Sequence, residues 1–339
     1  MTSTRRTTLL GTAAAAAMLL TATTATAQDA RSYILSTATT GGTYYPVGVA
    51  IATLVKVKLQ ASEGIDMAAI SSAGSGENIG LMRDGQVQFA ILQGLFGRYA
   101  ANGSGPLEAE GPQEWLRSIG MLWQNVEHFI VTDDFVDTGT IDDLAKLEGQ
   151  PFSIGARNSG TEGSGREILA GLGIDPESME LVYQGYGPSA EALQNGTIIG
   201  ANMPGGVPVT GVTQAFAARD DLRILDFTPE QVDRANGEGA PLFVPYTIAA
   251  GSYPNQDEDV HTIAQPNFLA VHEDVDEDAV YLITKTMFEN LTFLQNIHPA
   301  TNEMSLDSAL GGLPAPLHPG AVRYFQEAGV EIPEHLIPN

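Results

Sequence analysis

The stretch Thr39-Thr40-Gly41-Gly42-Thr43-Tyr44-Tyr45-Pro46 decides how this chain is read. It follows the first strand-like run, Ser32 to Thr37, and opens the first helix-like run, Pro46 to Leu59. In that run Val47, Val49, Ala50, Ile51, Leu54 and Val55 fall at helical spacing. Paired glycines let a backbone turn tightly and approach a ligand, and a proline at the helix start leaves free donors that a helix interior would have consumed. Such a helix end is a site for an anion, and it is equally the shape of a plain glycine-rich turn.

The same grammar repeats. Ile65 to Ile70 reads as a strand, Ser71 to Gly76 as a small-residue loop, Glu77 to Arg83 as a helix, and Val87 to Leu92 as a strand ending at Gln93-Gly94. A long apolar stretch, Leu116 to Val131, is interrupted by Gln124-Asn125 and Glu127-His128, and the first crossing between two domains is expected at its end. A second copy follows: a strand at Phe152 to Gly155, then the polar loop Arg157-Asn158-Ser159-Gly160-Thr161-Glu162-Gly163-Ser164-Gly165, then a helix through Leu172. Further strands are expected at 181–183, 198–202, 222–227 and 268–271. Helices are expected at 188–193, 276–294, 304–310 and 319–329, and the chain is expected to cross back near 242–248. Alternating units of this length predict an α/β fold with mostly parallel sheets, whose ligands sit beyond the carboxyl ends of the strands.

The first 27 residues read as an export signal: Arg5-Arg6, an alanine-rich apolar middle from Leu9 to Leu20, and the small-residue pattern Ala25-Thr26-Ala27. Cleavage near Ala27 by the general secretory or twin-arginine route predicts an exported chain starting near Gln28. The 339 residues less this leader are enough for two domains with cores of their own. There is no cysteine, which excludes disulfides, thiolate metal sites and a lipid anchor on an N-terminal Cys. The net charge of -25 argues against nucleic acid and against anionic membranes, but not against a small anion held by local donors.

No phosphate-binding Gly-Lys loop, His-Glu-x-x-His zinc site or Gly-x-Ser-x-Gly elbow is present. The fragment Gly185-x-Gly187-x-x-Ala190 is a weak dinucleotide match. Asp274, Asp276 and Asp278 alternate as calcium ligands do, yet Ala279 stands for the turn glycine and Lys285 for the closing glutamate, so they read as a helix start. No metal and no cofactor are expected.

What remains is a set of loops rich in neutral donors at equivalent strand ends. Ser75 and Asn78 have helix-capping spacing, and Glu77 either neutralises the same helix end or accepts a ligand's amino group. Arg157 either holds a carboxylate bidentately or pairs with a surface acid. Tyr44, Tyr45, Tyr183 and Tyr186 are candidate walls. With Gly42, Thr43, Ser159, Gly160 and Thr161, these loops describe a cleft for a small polar anion between two domains. A secreted enzyme using Glu77 or His128 as base is the alternative; no paired nucleophile and base accompanies them.

The ordered segments Gly41 to Pro46, Ser72-Ala73-Gly74-Ser75-Gly76-Glu77-Asn78, Gln88 to Gln93, Asn158 to Glu162, Gly205-Gly206-Val207-Pro208, Tyr281 to Lys285 and Phe288-Glu289-Asn290 resemble the TRAP-associated extracytoplasmic immunogenic (TAXI) solute receptors. The resemblance implies a two-lobed periplasmic binding protein of the Venus-flytrap, type II-like class with two crossings. Lobe 1 would comprise 28–131 plus 246–339, and lobe 2 would comprise 132–245. It implies a monomer that captures a C5 dicarboxylate or acidic amino acid, such as 2-oxoglutarate or glutamate, and delivers it to a TRAP transporter in the membrane. A ligand-sensing partner of a membrane receptor would look the same. Carried over by motif, the contacts are Gly42, Thr43, Tyr44, Ser75, Asn78, Gln93, Ser159, Gly160 and Thr161, with Gly205 in the matching Gly205-Gly206 segment; Glu77, Arg157 and Asn158 complete the candidate set. Two departures stand out: Gly76 replaces a β-branched residue, and Arg157-Asn158 replace small residues or proline before Ser159.

Overall fold

The computed structural model describes residues 30–237 and 241–338; the proposed leader, 1–27, lies outside them. The first half of the chain runs β1 (Arg31–Ser36), α1 (Tyr44–Glu63), β2 (Ile65–Ile70), α2 (Ser75–Arg83), β3 (Phe89–Gln93), α3 (Gly94–Asn102), β4 (Leu116–Val126) and β5 (Phe129–Thr132). It continues through β6 (Pro151–Ser153), α4 (Gly160–Leu172), β7 (Glu180–Val182), α5 (Tyr186–Gln194), β8 (Gly200–Asn202), α6 (Thr210–Ala218), β9 (Leu222–Ile224) and α7 (Pro229–Asn236). It closes with β10 (Val244–Ile248), β11 (Val260–His272), α8 (Glu277–Phe288), α9 (Leu291–Gln295) and α10 (Pro319–Glu327).

These elements form two sheets. The first has the order β10-β11-β3-β1-β2 with β4 also paired to β11, and the second has the order β7-β6-β8-β5-β9. Each sheet is mixed rather than mostly parallel: β1 pairs in parallel with β2 and β3, and β6 with β7 and β8, while β11, β10, β4 and β5 add antiparallel neighbours. The parallel triplets are strand-helix-strand units; the antiparallel strands are those that carry the chain between sheets.

The chain leaves the first sheet at Val126 and is already paired in the second at Phe129, so the crossing falls at Glu127-His128, before the Val131/Thr132 boundary expected from sequence. The interruption in the apolar run is the crossing itself. β10 pairs with the start of β11, but Ile248, Val260, Ile263 and Ala264 pack with the second sheet and Phe268 to Val271 with the first, so the return is made within β11, later than the expected 242–248. β11 runs unbroken through Gln265-Pro266-Asn267, three residues that hide a thirteen-residue strand from a hydropathy reading. Phe129 and Val131 pack in one buried cluster and Ile130 in another, because alternate side chains of a strand face opposite sides of its sheet. A single larger cluster surrounds β1, β2, β3, most of β4 and the last part of β11.

Three local expectations differ. The second donor loop is shorter than it reads, since α4 begins at Gly160: Ser159 caps it by accepting the N–H of Glu162 at 3.0 Å. The expected helix 276–294 is two helices, broken at Glu289-Asn290. No helix forms at 304–310, where Ser305 and Ser308 hydrogen-bond each other and hold a turn. Among the described residues no helix is long and apolar enough to cross a membrane.

Candidate functional site

Four helices, two from each sheet, aim their N-termini at one enclosed space. α1 begins at Tyr44 behind Thr43, α2 at Ser75, α4 at Gly160 behind Ser159, and α5 at Tyr186 behind Gly185. Residues from all four starts line the same cavity. The first N–H groups of a helix have no partner within it, and the aligned peptide dipoles place partial positive charge there, so the cavity is a positive focus built without a cation.

The side chains around it are neutral. Thr43, Tyr44, Ser75, Gln93, Asn125, Ser159, Thr161 and Tyr186 line the space, with the backbones of Gly42, Gly160 and Gly205, and every one of these side chains is buried. The Tyr186 hydroxyl donates to the carbonyl of Pro204 at 2.6 Å and meets the Thr161 hydroxyl at 2.6 Å. The Tyr44 hydroxyl donates to Asn267 Oδ1, and its ring packs edge-on against Trp123. Burial pushes both phenols upward, so they stay protonated donors.

The lobes are closed. Gln93 Nε2 donates to the carbonyl of Gly160 at 2.9 Å, Gly211 N–H to that of Gly41 at 3.0 Å, and Thr43 Oγ1 to that of Gly206 at 3.0 Å. At the rim, Tyr99 OH donates to Glu167 at 2.8 Å. The space left between the lobes is about 30 Å³. A space of that size holds little more than a water molecule, so a larger ligand enters only when the lobes part.

Of the residues singled out from sequence, Gly42, Thr43, Tyr44, Ser75, Gln93, Ser159, Gly160, Thr161 and Gly205 line the cavity, and Glu77, Asn78, Arg157 and Asn158 do not. Asn78 is a buried clamp: its Nδ2 donates to the carbonyls of Thr37 (2.7 Å) and Ile91 (3.0 Å), tying α2 to the ends of β1 and β3. Glu77 is exposed and turns back to accept the N–H of Ala73 at 2.6 Å. Arg157 is exposed and stacks over the Tyr183 ring at 3.7 Å, taking both out of the cleft. Ser75 is the first residue of its helix rather than its cap, and its Oγ accepts the N–H of Gln93 at 3.1 Å. Sequence reading passed over Asn125, next to last in β4 before the crossing, for want of any local motif.

The two departures from the TAXI pattern meet each other. Asn158 sits at φ 59° in the left-handed region, its N–H donating to Glu162 and its carbonyl accepting the N–H of Glu77 at 2.9 Å. A Cβ on Gly76 would lie 2.5 Å from that same carbonyl oxygen. Gly76 and Asn158 are thus one rim contact, in which the absence of a side chain on one lobe admits the backbone of the other.

His128 does not reach the cavity. It is fully buried, with Nδ1 2.8 Å from the Val126 carbonyl and Nε2 2.7 Å from Tyr253 OH, and burial lowers it to about 4. Neither candidate base, Glu77 nor His128, faces the enclosed space. Among the described residues no group of three or more His, Cys, Asp or Glu gathers in a metal-binding arrangement.

Residues 35–329 match the model of the NMT1-like family. Among solved structures, the chain is similar to MatC from Rhodopseudomonas palustris with bound malate, at 13% identity and TM-score 0.52 over 88% of this chain and 96% of that one. It is also similar to a protein from Bordetella bronchiseptica RB50, at 14% identity and TM-score 0.52 over 89% and 85%. At these identities the likeness concerns the fold alone, an α/β arrangement of two mixed sheets with a cavity between them.

Proposed function

The chain belongs to the NMT1-like family, and from that premise and the geometry of its cleft we propose that it is a periplasmic solute-binding protein. It captures a small carboxylate, a C5 dicarboxylate or acidic amino acid such as 2-oxoglutarate or glutamate. It then delivers that acid to the membrane subunits of a TRAP transporter, as the TAXI resemblance implies. The two lobes, expected from sequence at 28–131 plus 246–339 and at 132–245, close on the ligand about crossings at Glu127-His128 and within β11. The protein works as a non-enzymatic monomer, exported with cleavage near Ala27.

One observation carries this reading: four helix N-termini from two lobes converge on a cavity lined by uncharged donors. Hydroxyls, amides and free N–H groups bind carboxylates by charge-assisted hydrogen bonds without a fixed ion pair, so the ligand is held when closed and released when open. The malate held by MatC is consistent with a dicarboxylate on this fold. With Glu77 at the rim, the lining offers no carboxylate to an ammonium group, which favours the oxo acid over the amino acid. A thermal-shift screen against C4 to C6 dicarboxylates and acidic amino acids tests the class, since a ligand that binds only the folded state raises its Tm. Absence of any shift across the panel removes the carboxylate reading.

A further inference from the structure

The first sheet's side of the cavity continues behind the residues that line it. Gln93 on β3 stands opposite Asn267 on β11, Asn267 stands opposite Trp123 on β4, and Asn125 follows Trp123 by two residues. Directly paired residues, and residues two apart in a strand, face the same side of a sheet, so these four side chains form one row. Gln93 and Asn125 line the cavity, and Asn267 and Trp123 lie beside them, fully buried.

Both of the inner two hold N–H groups with no hydrogen-bond partner among the described residues: Trp123 Nε1 and Asn267 Nδ2. The other amide atom of Asn267 is used. The Tyr44 hydroxyl donates to its Oδ1, and burial keeps that phenol protonated, so the amide is turned with Nδ2 left over. An indole N–H and an amide NH2 can only donate. Two such donors cannot satisfy each other, and a buried donor left unmade costs stability. What completes them is an acceptor, and a negatively charged one makes the stronger bonds. Gln265 Nε2, two residues before Asn267, is also without a partner, but it has the Glu127 carboxyl beside it.

Over the indole lies the backbone of Gly206, which follows β8 of the second sheet. Thr43 Oγ1 donates to its carbonyl across the lobes at 3.0 Å, and a Cβ on Gly206 would lie 2.9 Å from Trp123 Nε1. The donor pair is therefore covered while the lobes are shut and is reached as they part.

We propose that Trp123 and Asn267 form the subsite for the second carboxylate of the ligand, the first being held at the helix N-termini. They set the preference for a dicarboxylate over a monocarboxylate of the same chain length. The inference rests on the carboxylate reading above. Tyr44 is a positioning residue in this scheme, since its hydroxyl fixes which way the Asn267 amide faces.

The test is calorimetric titration with 2-oxoglutarate and with 2-oxopentanoate, which carries a methyl group in place of the second carboxylate. The wild type is expected to bind 2-oxoglutarate the more tightly. Two variants remove the donors: Asn267→Leu, and Trp123→Phe, which keeps a ring against Tyr44 but no N–H. Each is expected to lower the preference for 2-oxoglutarate over 2-oxopentanoate by about 10- to 150-fold, the scale for a hydrogen bond to a charged group. Either variant alone decides, provided it melts cooperatively. Equal affinity of the wild type for the two acids overturns the subsite and leaves the carboxylate reading intact. So does a preference that survives the substitutions, as it would if ordered water served the donors. Binding of neither acid by the folded wild type overturns the carboxylate reading, and the subsite with it.

Discussion

Ser159 serves the fold and the cleft through the same oxygen, and two substitutions separate the roles. Its Oγ caps α4 by accepting the Glu162 N–H at 3.0 Å, and the residue lines the cavity at 4% exposure. Ser159→Ala removes the cap, which costs about 1 kcal/mol of stability. It also removes a hydroxyl donor to a charged ligand, worth about 1.5–3 kcal/mol, or roughly a 10- to 150-fold loss of affinity. Ser159→Asp keeps an equally good cap and favours the helix dipole, so stability is retained. Its carboxylate, however, stands about 4 Å from a bound carboxylate, and at an effective dielectric of about 20 that repulsion is about 4 kcal/mol, roughly a thousandfold in affinity. Urea unfolding and calorimetric titration read the two quantities separately. Binding by Ser159→Asp at wild-type strength would refute the placement of an anion at this helix start, and unchanged stability in Ser159→Ala would refute the cap.

Gly76→Val places a Cβ 2.5 Å from the Asn158 carbonyl, a backbone atom with little freedom to move, and so holds the rim apart. Overpacking of about 1–3 kcal/mol falls chiefly on the closed form, since the other close neighbour, the Phe96 ring at 3.0 Å, is a side chain that can turn aside, and small-angle scattering of the unliganded variant should show a larger radius of gyration; identical scattering curves count against the rim contact. Burial raises Glu127 from 4.5 to about 7 in the folded chain. Folding therefore binds a proton in that window, and stability falls as pH rises from about 4.5 to 7. Glu127→Gln should be more stable than the wild type at pH 8 by roughly 3 kcal/mol, with the gap closing below pH 4.5; denaturant melts showing the same gap at both pH values disprove the burial account. Asn78→Ala removes the Nδ2 donor to the buried carbonyls of Thr37 and Ile91, of which Thr37 keeps the Ser72 hydroxyl at 3.0 Å, so about 1–3 kcal/mol of stability should be lost, and an unfolding midpoint equal to wild type would return Asn78 to the candidate ligand contacts.

Much of this was legible because strand ends and helix starts leave local marks. Gly41-Gly42 before Tyr44, and Asn158-Ser159-Gly160 before Glu162, carry the turn chemistry that places α1 and α4, and both helices start at the cleft. What was not legible is long-range. Whether Asn78 faces ligand or backbone depends on where the ends of β1 and β3 lie, and whether Arg157 enters the cleft depends on Tyr183, 26 residues away in the chain. Asn125 and Tyr186 join the cavity only through the crossing and the second sheet. β11 was obscured because the residues that interrupt its hydropathy, Gln265 and Asn267, are polar groups buried at the junction of the lobes.

The central claim is that the space between the lobes binds one small carboxylate. Calorimetric titration with 2-oxoglutarate, malate and glutamate measures it most directly. The account predicts saturable binding of at least one acid at a single site, abolished in Ser159→Asp. Flat heats for all three in the folded protein, or binding that Ser159→Asp leaves intact, would contradict it.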